Sequence, residues 1–280
     1  MIKINNIKKK YGQFELDCSM EVKEGCITGL IGPNGSGKST IFKAILGLVY
    51  LDDGEIEVNL GESYKNTIEK KQAIGVSFVD SGFSLYINIK KIASILEATY
   101  PRFKKDIFLA RCEKAGLPAN KKINTFSSGM RAKLKIIIAT SYDAKLLILD
   151  EPTAGLDVIA RDELLDFLRE YMLKPGRSIL ISSHISSDIE GLCDDIYMIN
   201  NGKIIMHEET DKILDCYGIL KVTREQYEKL DKTYLLKVEK ETFGNVCLTD
   251  QKAFYEENHK DIVIEKCTID QIVKLMVRGK

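Results

Sequence analysis

The sequence predicts an α/β fold built around a parallel sheet, and three apolar runs lead to this prediction. Residues 26–31 form a short apolar run that is followed by a glycine-rich stretch at 32–40 and a helical pattern at 40–48. Residues 145–149 and 177–182 form two more apolar runs. Continuous apolar character is typical of strands that are covered on both faces. We therefore expect these runs to be neighbouring buried strands.

The glycine-rich stretch matches the phosphate-binding pattern G-x-x-x-x-G-K-[ST] at every fixed position. Glycine permits positive φ and close approach to a ligand, and successive N–H groups at a helix start bind anions. The pattern assigns Lys38 to the β- and γ-phosphates of a nucleotide and the Ser39 hydroxyl to Mg²⁺. A glycine-rich turn with an exposed lysine is the alternative. The predicted nucleotide-binding residues here are Gly32, Asn34, Gly35, Ser36, Gly37, Lys38, Ser39 and Thr40.

Composition limits the classes of protein to consider. The 280 residues suffice for one large domain and a small one. The 41 acidic and 41 basic residues balance, so charge gives no argument for a nucleic-acid partner or an anionic membrane. The seven cysteines are scattered without a C-x-x-C pair, which favours free thiols in a reducing compartment. The polar, basic residues 1–12 are not a signal peptide, and no run of 18 apolar residues could span a bilayer.

Two acids and a histidine follow the later apolar runs. Asp150 is placed to hold Mg²⁺ through water, and Glu151 is placed to polarise an attacking water. Solvated acids at a strand end are the alternative. His184 stands just past residues 177–182, on the edge where the two acids are expected. It is a candidate γ-phosphate sensor, although a lone histidine is usually structural.

Two further features are ambiguous from the residues alone. Tyr11 precedes the phosphate loop and either stacks on an adenine face or packs on the sheet as a strand tyrosine. Residues 126–130 precede a helical run at 131–141 and supply N-cap residues to it. From the local sequence a plain helix cap is the preferred interpretation of residues 126–130.

The chain divides into two predicted domains. Residues 1–214 form a nucleotide-binding domain, and apolar residues at helical spacing predict a helical subdomain within it at about 88–142. Short strand-like and helical runs predict a small α+β domain at 215–280. Residues 216–280 hold no recognisable nucleotide chemistry. We therefore expect that their removal leaves the affinity for Mg-ATP within about threefold.

In this order, the motifs resemble those of the ATP-binding subunits of ABC transporters over about residues 1–212. Residues 32–40 resemble the Walker A motif, and residues 147–151 resemble Walker B with its catalytic glutamate. Residues 154–157, which end in Asp157, resemble the D-loop, and His184 resembles the switch histidine. The Walker motifs alone would indicate only a P-loop NTPase, whereas the full series is highly specific.

The resemblance also bears on the two ambiguous features. Tyr11 falls where the family has its adenine-stacking aromatic residue, which favours the stacking alternative. Residues 126–130 fall where the family has the signature L-S-G-G-Q. The family's contacts to nucleotide at this motif would come from Ser127, Ser128 and Gly129. Three positions depart from the signature: Phe126, Ser128 and Met130.

A second departure concerns the family's Q-loop. No glutamine lies between residues 74 and 88, and Asp80 or Ser81 occupies the position. Asp80 could help to hold Mg²⁺, but it adds negative charge near the triphosphate. The departures concern hydrolysis rate and coupling more than nucleotide binding. Together with the C-terminal domain, they resemble a bacterial export-type subgroup that pumps peptides, antimicrobial compounds or lipid-like substrates.

The resemblance implies a fold, an activity and partners. The fold is an α/β P-loop NTPase with a helical subdomain and a small C-terminal α+β domain. The activity is ATP hydrolysis with Mg²⁺, in which Glu151 polarises water while Lys38 and His184 stabilise the developing charge. A second ATP-binding subunit would pair head to tail, with ATP between the phosphate loop of one and Ser127–Gly129 of the other. Membrane-spanning subunits would hold the pair at the cytoplasmic face of the membrane.

Three other functions are alternatives to transport, and each requires a sequence feature of its own. A soluble ABC ATPase that acts on DNA would need long coiled-coil arms, but only about 110 residues separate Lys38 from Asp150. A translation-type ABC protein would carry two cassettes in one chain, whereas this sequence has one. A purely regulatory nucleotide-binding subunit would lack the catalytic base, whereas Glu151 is present.

Overall fold

The computed structural model describes residues 1–61, 64, 67–79, 82–242 and 244–279. The strands in these ranges are β1 (Ile2–Tyr11), β2 (Phe14–Val22), β3 (Ile27–Ile31), β4 (Asp53–Val58), β5 (Ile74–Ser77), β6 (Leu146–Asp150), β7 (Ser178–Ser182), β8 (Asp195–Asn200), β9 (Lys203–Glu209), β10 (Gly218–Val222), β11 (Leu235–Glu241), β12 (Gly244–Thr249) and β13 (Val263–Lys266). The helices are α1 (Lys38–Ile45), α2 (Thr67–Gln72), α3 (Ile89–Thr99), α4 (Lys105–Lys114), α5 (Ser128–Ala139), α6 (Val158–Met172), α7 (Ser186–Glu190), α8 (Thr210–Cys216), α9 (Arg224–Lys229), α10 (Lys252–Asn258) and α11 (Ile269–Arg278), with a 3₁₀ turn at Ile123–Thr125.

The central sheet has the strand order β5-β6-β7-β3-β8-β9 among the described residues. Its strands are parallel except for β9, which returns antiparallel to β8. Every residue of β3, β6 and β7 is buried, as continuous apolar runs require. Asp150 and Leu30 both pair with Ser182. The carboxyl ends of these three strands therefore lie level at one edge, which confirms the predicted α/β fold class.

A smaller antiparallel sheet, β2-β1-β4, covers one side of the central sheet. Buried residues at every second position of β2 (Leu16, Cys18, Met20 and Val22) join Leu30 and Phe42 in one apolar core. β2 was not predicted from the sequence. Alternate residues of a strand point to opposite faces, so the residues between these four lie toward the other face.

The helices α3, α4 and α5 form a lobe at one end of the central sheet. Asn88 caps α3 by accepting a hydrogen bond from the Lys91 N–H at 3.0 Å, and Ser127 caps α5 by accepting from the Met130 N–H at 3.2 Å. Both caps satisfy N–H groups that an isolated helix start leaves unpaired. Ile92 of α3 is fully buried and belongs to the larger apolar core of the molecule. Residues 88–142, where apolar residues at helical spacing predict a helical subdomain, contain α3, α4 and α5.

The C-terminal region contains an antiparallel sheet in the order β11-β12-β10-β13. Neighbouring residues of its strand β10 belong to two different cores. Leu220 packs with Cys247 and Tyr255 in a core of the C-terminal region itself. Ile219 belongs to the larger core that it shares with residues of the central sheet such as Ile181. The boundary predicted at 214/215 falls within α8, and the domain division stays a prediction.

The helices and cysteines of the described ranges bear on membrane insertion and on disulfide formation. None of the helices described is both long enough and apolar enough to cross a membrane. All seven cysteines lie in these ranges and are free thiols. Burial raises the pKa of the Cys247 thiol, and likewise that of the Cys267 thiol, to about 12. Both thiols are therefore poorly reactive while the C-terminal region stays folded, because the thiolate is the reactive form.

Candidate functional site

The glycine-rich stretch forms the connection between β3 and α1, and its backbone requires glycine at two kinds of position. Gly35 and Gly37 have φ values of 78° and 117°, which side chains with a β-carbon rarely adopt. A β-carbon at Gly32 would lie 2.1 Å from the Ile199 carbonyl oxygen of β8. The chain then enters α1 with Gly37 at the N-cap. The loop therefore brings backbone to the start of a helix, where N–H groups and the helix dipole favour an anion.

Lys38 lies folded over this loop rather than extended into solvent. Its Nζ donates to the Gly32 carbonyl oxygen at 2.8 Å and to the Pro33 carbonyl oxygen at 3.3 Å. The residue is 7% exposed. Burial lowers the pKa of its ammonium group, whereas the neighbouring Glu151 and Asp150 carboxylates raise it. The ammonium is thus held at the loop, facing two acids across the sheet edge.

The other loop residues differ in exposure. Asn34 and Gly35 are exposed at the tip of the loop, and Thr40 is half-buried in the first turn of α1. Ser36 is buried, and its hydroxyl has no hydrogen-bond partner among the described residues. A buried hydroxyl without a partner is costly, so this group is available to a ligand that enters the loop.

Asp150 ends β6 and is fixed by two hydroxyl groups. Its Oδ2 accepts from Ser39 Oγ at 2.7 Å, and its Oδ1 accepts from Ser182 Oγ at 2.6 Å. The second bond follows from the pairing of Asp150 with Ser182 across β6 and β7. A carboxylate beside a hydroxyl is an oxygen-only donor set of the kind that Mg²⁺ prefers. Mg²⁺ bound here would complete its coordination with phosphate oxygens and water.

Glu151 has an unusual backbone conformation. Its φ of 50° is positive, which is strained for a residue with a β-carbon. The strain is held by two bonds from its N–H, to the Ser182 carbonyl oxygen at 3.2 Å and to Ser182 Oγ at 3.0 Å. The turn directs the Glu151 side chain away from the end of β6 and toward the segment that follows β7. Strain of this kind is often found at functional sites.

On the segment that follows β7, Glu151 contacts His184. Glu151 Oε2 accepts from the His184 backbone N–H at 3.2 Å and lies 2.5 Å from His184 Nδ1. Because a carboxylate only accepts, Nδ1 carries the hydrogen and Nε2 faces outward. The imidazole is 58% exposed whereas the Glu151 side chain is largely buried. The strand ends therefore bring Lys38, Asp150, Glu151 and His184 to one edge.

The predicted signature residues lie at the start of α5. Ser128 lines a cleft of about 430 Å³ whose other wall includes Asp150 and Glu151. No hydrogen bond among the described residues joins Ser127, Ser128 or Gly129 to the phosphate loop. Within this chain the capping interpretation of Ser127 is sufficient. Packing also favours glycine at position 129, since a β-carbon there would lie 3.0 Å from Ala160 Cβ of α6.

Asp157, Tyr11 and Asp80 complete the predicted set. Asp157 caps α6, its Oδ1 accepting from the Ala160 N–H at 2.9 Å. Tyr11 is 48% exposed at the end of β1, with Lys9 Nζ 5.7 Å from its ring centroid. Half of the ring is thus accessible. Asp80 and Ser81, the candidates for the Q-loop position, lie outside the described residues.

Sequence reasoning missed two contributions to this edge. Ser182 orients both Asp150 and Glu151, and only the strand register shows it. The second contribution comes from the C-terminal helix α11, which no local pattern connects to the site. Its residues Ile269, Asp270 and Val273 line a cleft of about 450 Å³ together with Gly32, Glu151 and His184.

The chain is similar to known proteins over most of its length. Residues 16–154 match the family described as ABC transporter. The lantibiotic transport ATP-binding protein SrtF of Streptococcus pyogenes is 38% identical over 216 residues, which are 75% of this chain and 92% of that protein. The linearmycin resistance ATP-binding protein LnrL of Bacillus subtilis is 35% identical over 215 residues, 73% of this chain and 68% of that protein.

The fold is also similar to solved structures. A nucleotide-free ATP-binding cassette from an ABC transporter aligns with a TM-score of 0.65 and 24% sequence identity. The alignment covers 75% of this chain and 91% of that one. At this identity the likeness shows the fold, in agreement with the α/β architecture described above.

Proposed function

Because the chain belongs to the ATP-binding proteins of ABC transporters, it binds and hydrolyses ATP to power transport, and we propose that the cargo is a peptide or an antimicrobial, drug-like compound that is exported. The chemical part is supported by one observation above all, the meeting of Lys38, Asp150, Glu151 and His184 at one sheet edge. The cargo class is supported by the relatives named for lantibiotic transport and linearmycin resistance. A soluble or purely regulatory ATPase is not favoured.

The nucleotide would bind with its phosphates in the loop between β3 and α1. The left-handed glycines and the start of α1 supply N–H donors and positive potential there. Lys38 already lies at the loop and would exchange a carbonyl partner such as Pro33 for a phosphate oxygen. The half-exposed ring of Tyr11 offers a flat face for the adenine.

Mg²⁺ is the implied cofactor, and Ser39 and Asp150 would hold it. Their oxygens are 2.7 Å apart, and Ser182 orients the carboxylate from its other side. When bound, Mg²⁺ neutralises the charge that develops on the phosphate oxygens during transfer. Asp80, the third predicted ligand, stays a proposal from the sequence alone.

Hydrolysis requires a group that accepts or polarises a proton of the attacking water. Glu151 is the side chain in position for this role, because its turn directs it to the same edge as Lys38. His184 donates from Nδ1 to Glu151 Oε2, and its Nε2, when it also carries a proton, would donate to a γ-phosphate oxygen. Lys38 would stabilise the negative charge that accumulates on the departing phosphoryl group.

A second ATP-binding subunit would complete the site. Its Ser127, Ser128 and Gly129 would face the phosphates bound to this chain, in a homo- or heterodimer. The start of α6 supports such a contact, since Val158 and Ile159 are apolar yet mostly exposed there, directly after Asp157. Exposed apolar groups that cluster in this way often mark a partner surface.

Membrane-spanning subunits would hold the ATP-binding pair at the cytoplasmic face of the membrane. An export assay tests the cargo class. Cells that carry the complete transporter are expected to survive higher concentrations of a lantibiotic-type peptide or a linearmycin-type compound than cells that lack it. Cells whose transporter contains Glu151→Gln should lose this protection. Equal survival of all three strains across such a panel would contradict the proposed cargo, although not the ATPase activity.

The apolar residues at 83 and 85–87 follow no clean core period in the sequence, which predicts an exposed docking patch for a membrane-spanning subunit. Phe83 and Ile87 are partly buried and pack against the larger core. Leu85 is 43% exposed and Tyr86 is 74% exposed. Within the patch at 83–87, Leu85 and Tyr86 therefore offer an apolar surface to a membrane-spanning subunit, and a substitution at Phe83 would disturb the fold as well.

Tyr86→Asp is expected to abolish copurification with the membrane-spanning subunit, because it places a charge in an apolar contact. ATP binding by the isolated chain should stay intact, because Tyr86 makes no contact with the phosphate loop. Tyr50→Asp is the matched control, since Tyr50 is 93% exposed elsewhere on the surface. The docking assignment is wrong if the complex survives Tyr86→Asp, or if both variants disrupt it equally.

Tyr11→Ala is expected to weaken ATP binding by roughly 5- to 150-fold, the equivalent of ~1–3 kcal/mol of base stacking. Tyr11→Phe keeps the ring and should stay within about twofold of the wild type. Equilibrium titration with a fluorescent ATP analogue measures both. Unchanged affinity in Tyr11→Ala would return Tyr11 to the alternative of a strand residue.

A further inference from the structure

Helix α11 of the C-terminal region clamps the short helix α7 at both ends. At the start of α7, Ser186 Oγ donates to Asp270 Oδ2 at 2.8 Å. At its end, Glu190 Oε1 accepts from the Ile269 N–H at 3.0 Å. Between these two polar contacts, Ile189 of α7 and Ile272 of α11 are buried in the same core. The first turn of α11 thus contributes to holding α7 in place.

The clamped helix adjoins the catalytic edge. Only Ile185 separates His184 from Ser186, the first residue of α7. His184 is largely exposed, and its imidazole has one hydrogen-bond contact among the described residues, to Glu151. The imidazole therefore has little packing of its own to fix it. Its position depends on the backbone that α7 carries.

α7 is also joined to the segment that follows Glu151. Asp188 is fully buried, and its Oδ2 accepts from Thr153 Oγ1 at 2.5 Å. The Arg161 guanidinium of α6 lies 2.5 Å from Asp188 Oδ1 as an ion pair. Through Asp188, α7 contacts the chain two residues beyond Glu151. A shift of α7 would therefore act on both sides of the Glu151–His184 pair.

We propose that Asp270 is a positioning residue for His184, through which the C-terminal region sets the rate of ATP hydrolysis. The proposal rests on the roles given above to Glu151 and His184. Small displacements of a reacting group have large effects on rate, whereas no hydrogen bond among the described residues joins α7 to the phosphate loop at 32–40. Loss of the Asp270 contact should therefore lower kcat and leave ATP affinity unchanged.

A merely structural role for α11 is the competing explanation. Deletion of residues 216–280 cannot separate the two, because it would uncover the core that Ile219 and Ile272 share with the central sheet. Point variants in the full chain avoid this problem. Cys267 reports on docking, since it is 5% exposed in the shared core just before α11. Cys247 reports on folding of the C-terminal region itself.

The experiment compares Asp270→Ala, Asp270→Asn, Ser186→Ala and the double variant Ser186→Ala/Asp270→Ala, each in the full chain. Asp270→Ala is expected to lower kcat roughly three- to tenfold, because the imidazole of His184 would be displaced from its position for reaction, with ATP affinity within about twofold. Ser186→Ala should act alike, and the double variant should be no slower than either single variant. Asp270→Asn keeps an acceptor oxygen and should restore most of the rate.

Lys274→Ala is the matched control on the same helix. Lys274 pairs with Glu239 of β11 at 2.9 Å, on the side of α11 that faces its own sheet. This variant should keep the wild-type kcat. Because both thiols are buried, Cys267 and Cys247 should resist a thiol reagent in the wild type and in every variant.

Three outcomes would overturn the proposal: an unchanged kcat in Asp270→Ala, an equal loss in Lys274→Ala, or faster labelling of Cys267 in step with the lost rate. The last would show that α11 has undocked and that Asp270 is structural. Wild type and Glu151→Gln are assayed in parallel. If Glu151→Gln hydrolyses ATP normally, the proposed catalytic roles fail and the positioning proposal fails with them. If only Asp270→Ala is normal, the catalytic roles stand.

Discussion

Glu151→Gln is expected to lower ATP turnover by at least two orders of magnitude, roughly the effect of losing a general base. The amide keeps the shape of the side chain, and its oxygen can still accept from the His184 N–H and Nδ1. ATP should bind with near wild-type affinity, because the phosphate loop is untouched. Without hydrolysis, an ATP-bound dimer should accumulate.

Steady-state phosphate release measures the turnover, and size-exclusion chromatography with ATP measures the dimer. Glu97→Gln is the matched control, because Glu97 is an exposed glutamate of α3 that pairs with Lys105 at 2.9 Å. This control should hydrolyse ATP at the wild-type rate. Hydrolysis near the wild-type rate in Glu151→Gln would remove Glu151 from its proposed role.

Lys38→Met is expected to weaken ATP binding by about 10- to 150-fold, since a hydrogen bond to a charged group contributes roughly 1.5–3 kcal/mol. Methionine keeps the apolar stem but cannot donate to a phosphate oxygen. It also cannot donate to the Gly32 and Pro33 carbonyl oxygens. The variant therefore tests whether the ammonium is a ligand of the nucleotide.

Isothermal titration with ATP measures the affinity, and thermal unfolding shows whether the loop stays folded. Lys43→Met is the control, because Lys43 lies on the same helix and is exposed. Wild-type affinity in Lys38→Met would mean that the backbone N–H groups bind the phosphates without it. A large loss in Lys43→Met would point to helix stability instead.

The buried strands were predictable because burial on both faces leaves a simple pattern. The apolar runs at 26–31, 145–149 and 177–182 correspond to β3, β6 and β7. The Asn-Gly pair at 201–202 is the favoured two-residue hairpin turn, and both residues have the positive φ that this turn requires between β8 and β9. In each case a local signal agrees with the tertiary structure.

Helix starts were less predictable. Helix α6 begins at Val158, because Asp157 caps it, whereas the sequence shows a helical pattern only from Arg161. Val158 and Ile159 are apolar but exposed, which disguises the helical period in the first turn. The helix predicted at 131–141 likewise begins earlier, at Ser128. Five-residue α7 was missed altogether, since it is too short to show a period and depends on tertiary contacts.

The residues of the candidate site were likewise predictable only where local sequence determines their position. The residues that pattern and resemblance named lie at the ends of strands and the start of a helix, where local sequence determines their place. Ser182 was invisible because its role comes from register with Asp150. Asp270 was invisible because its partner Ser186 is 84 residues away. Contacts over such separations are not encoded in any local pattern of residues.

Strand β10 contributes residues to two different cores, and this limits the substitutions that it can accept. A substitution at Leu220 must be accommodated within the C-terminal region, whereas one at its neighbour Ile219 must also suit the ATPase. A tail grafted from a distant relative would therefore bring half of an interface without its counterpart. The C-terminal region and the central sheet therefore share one core at Ile219, and a substitution there affects both.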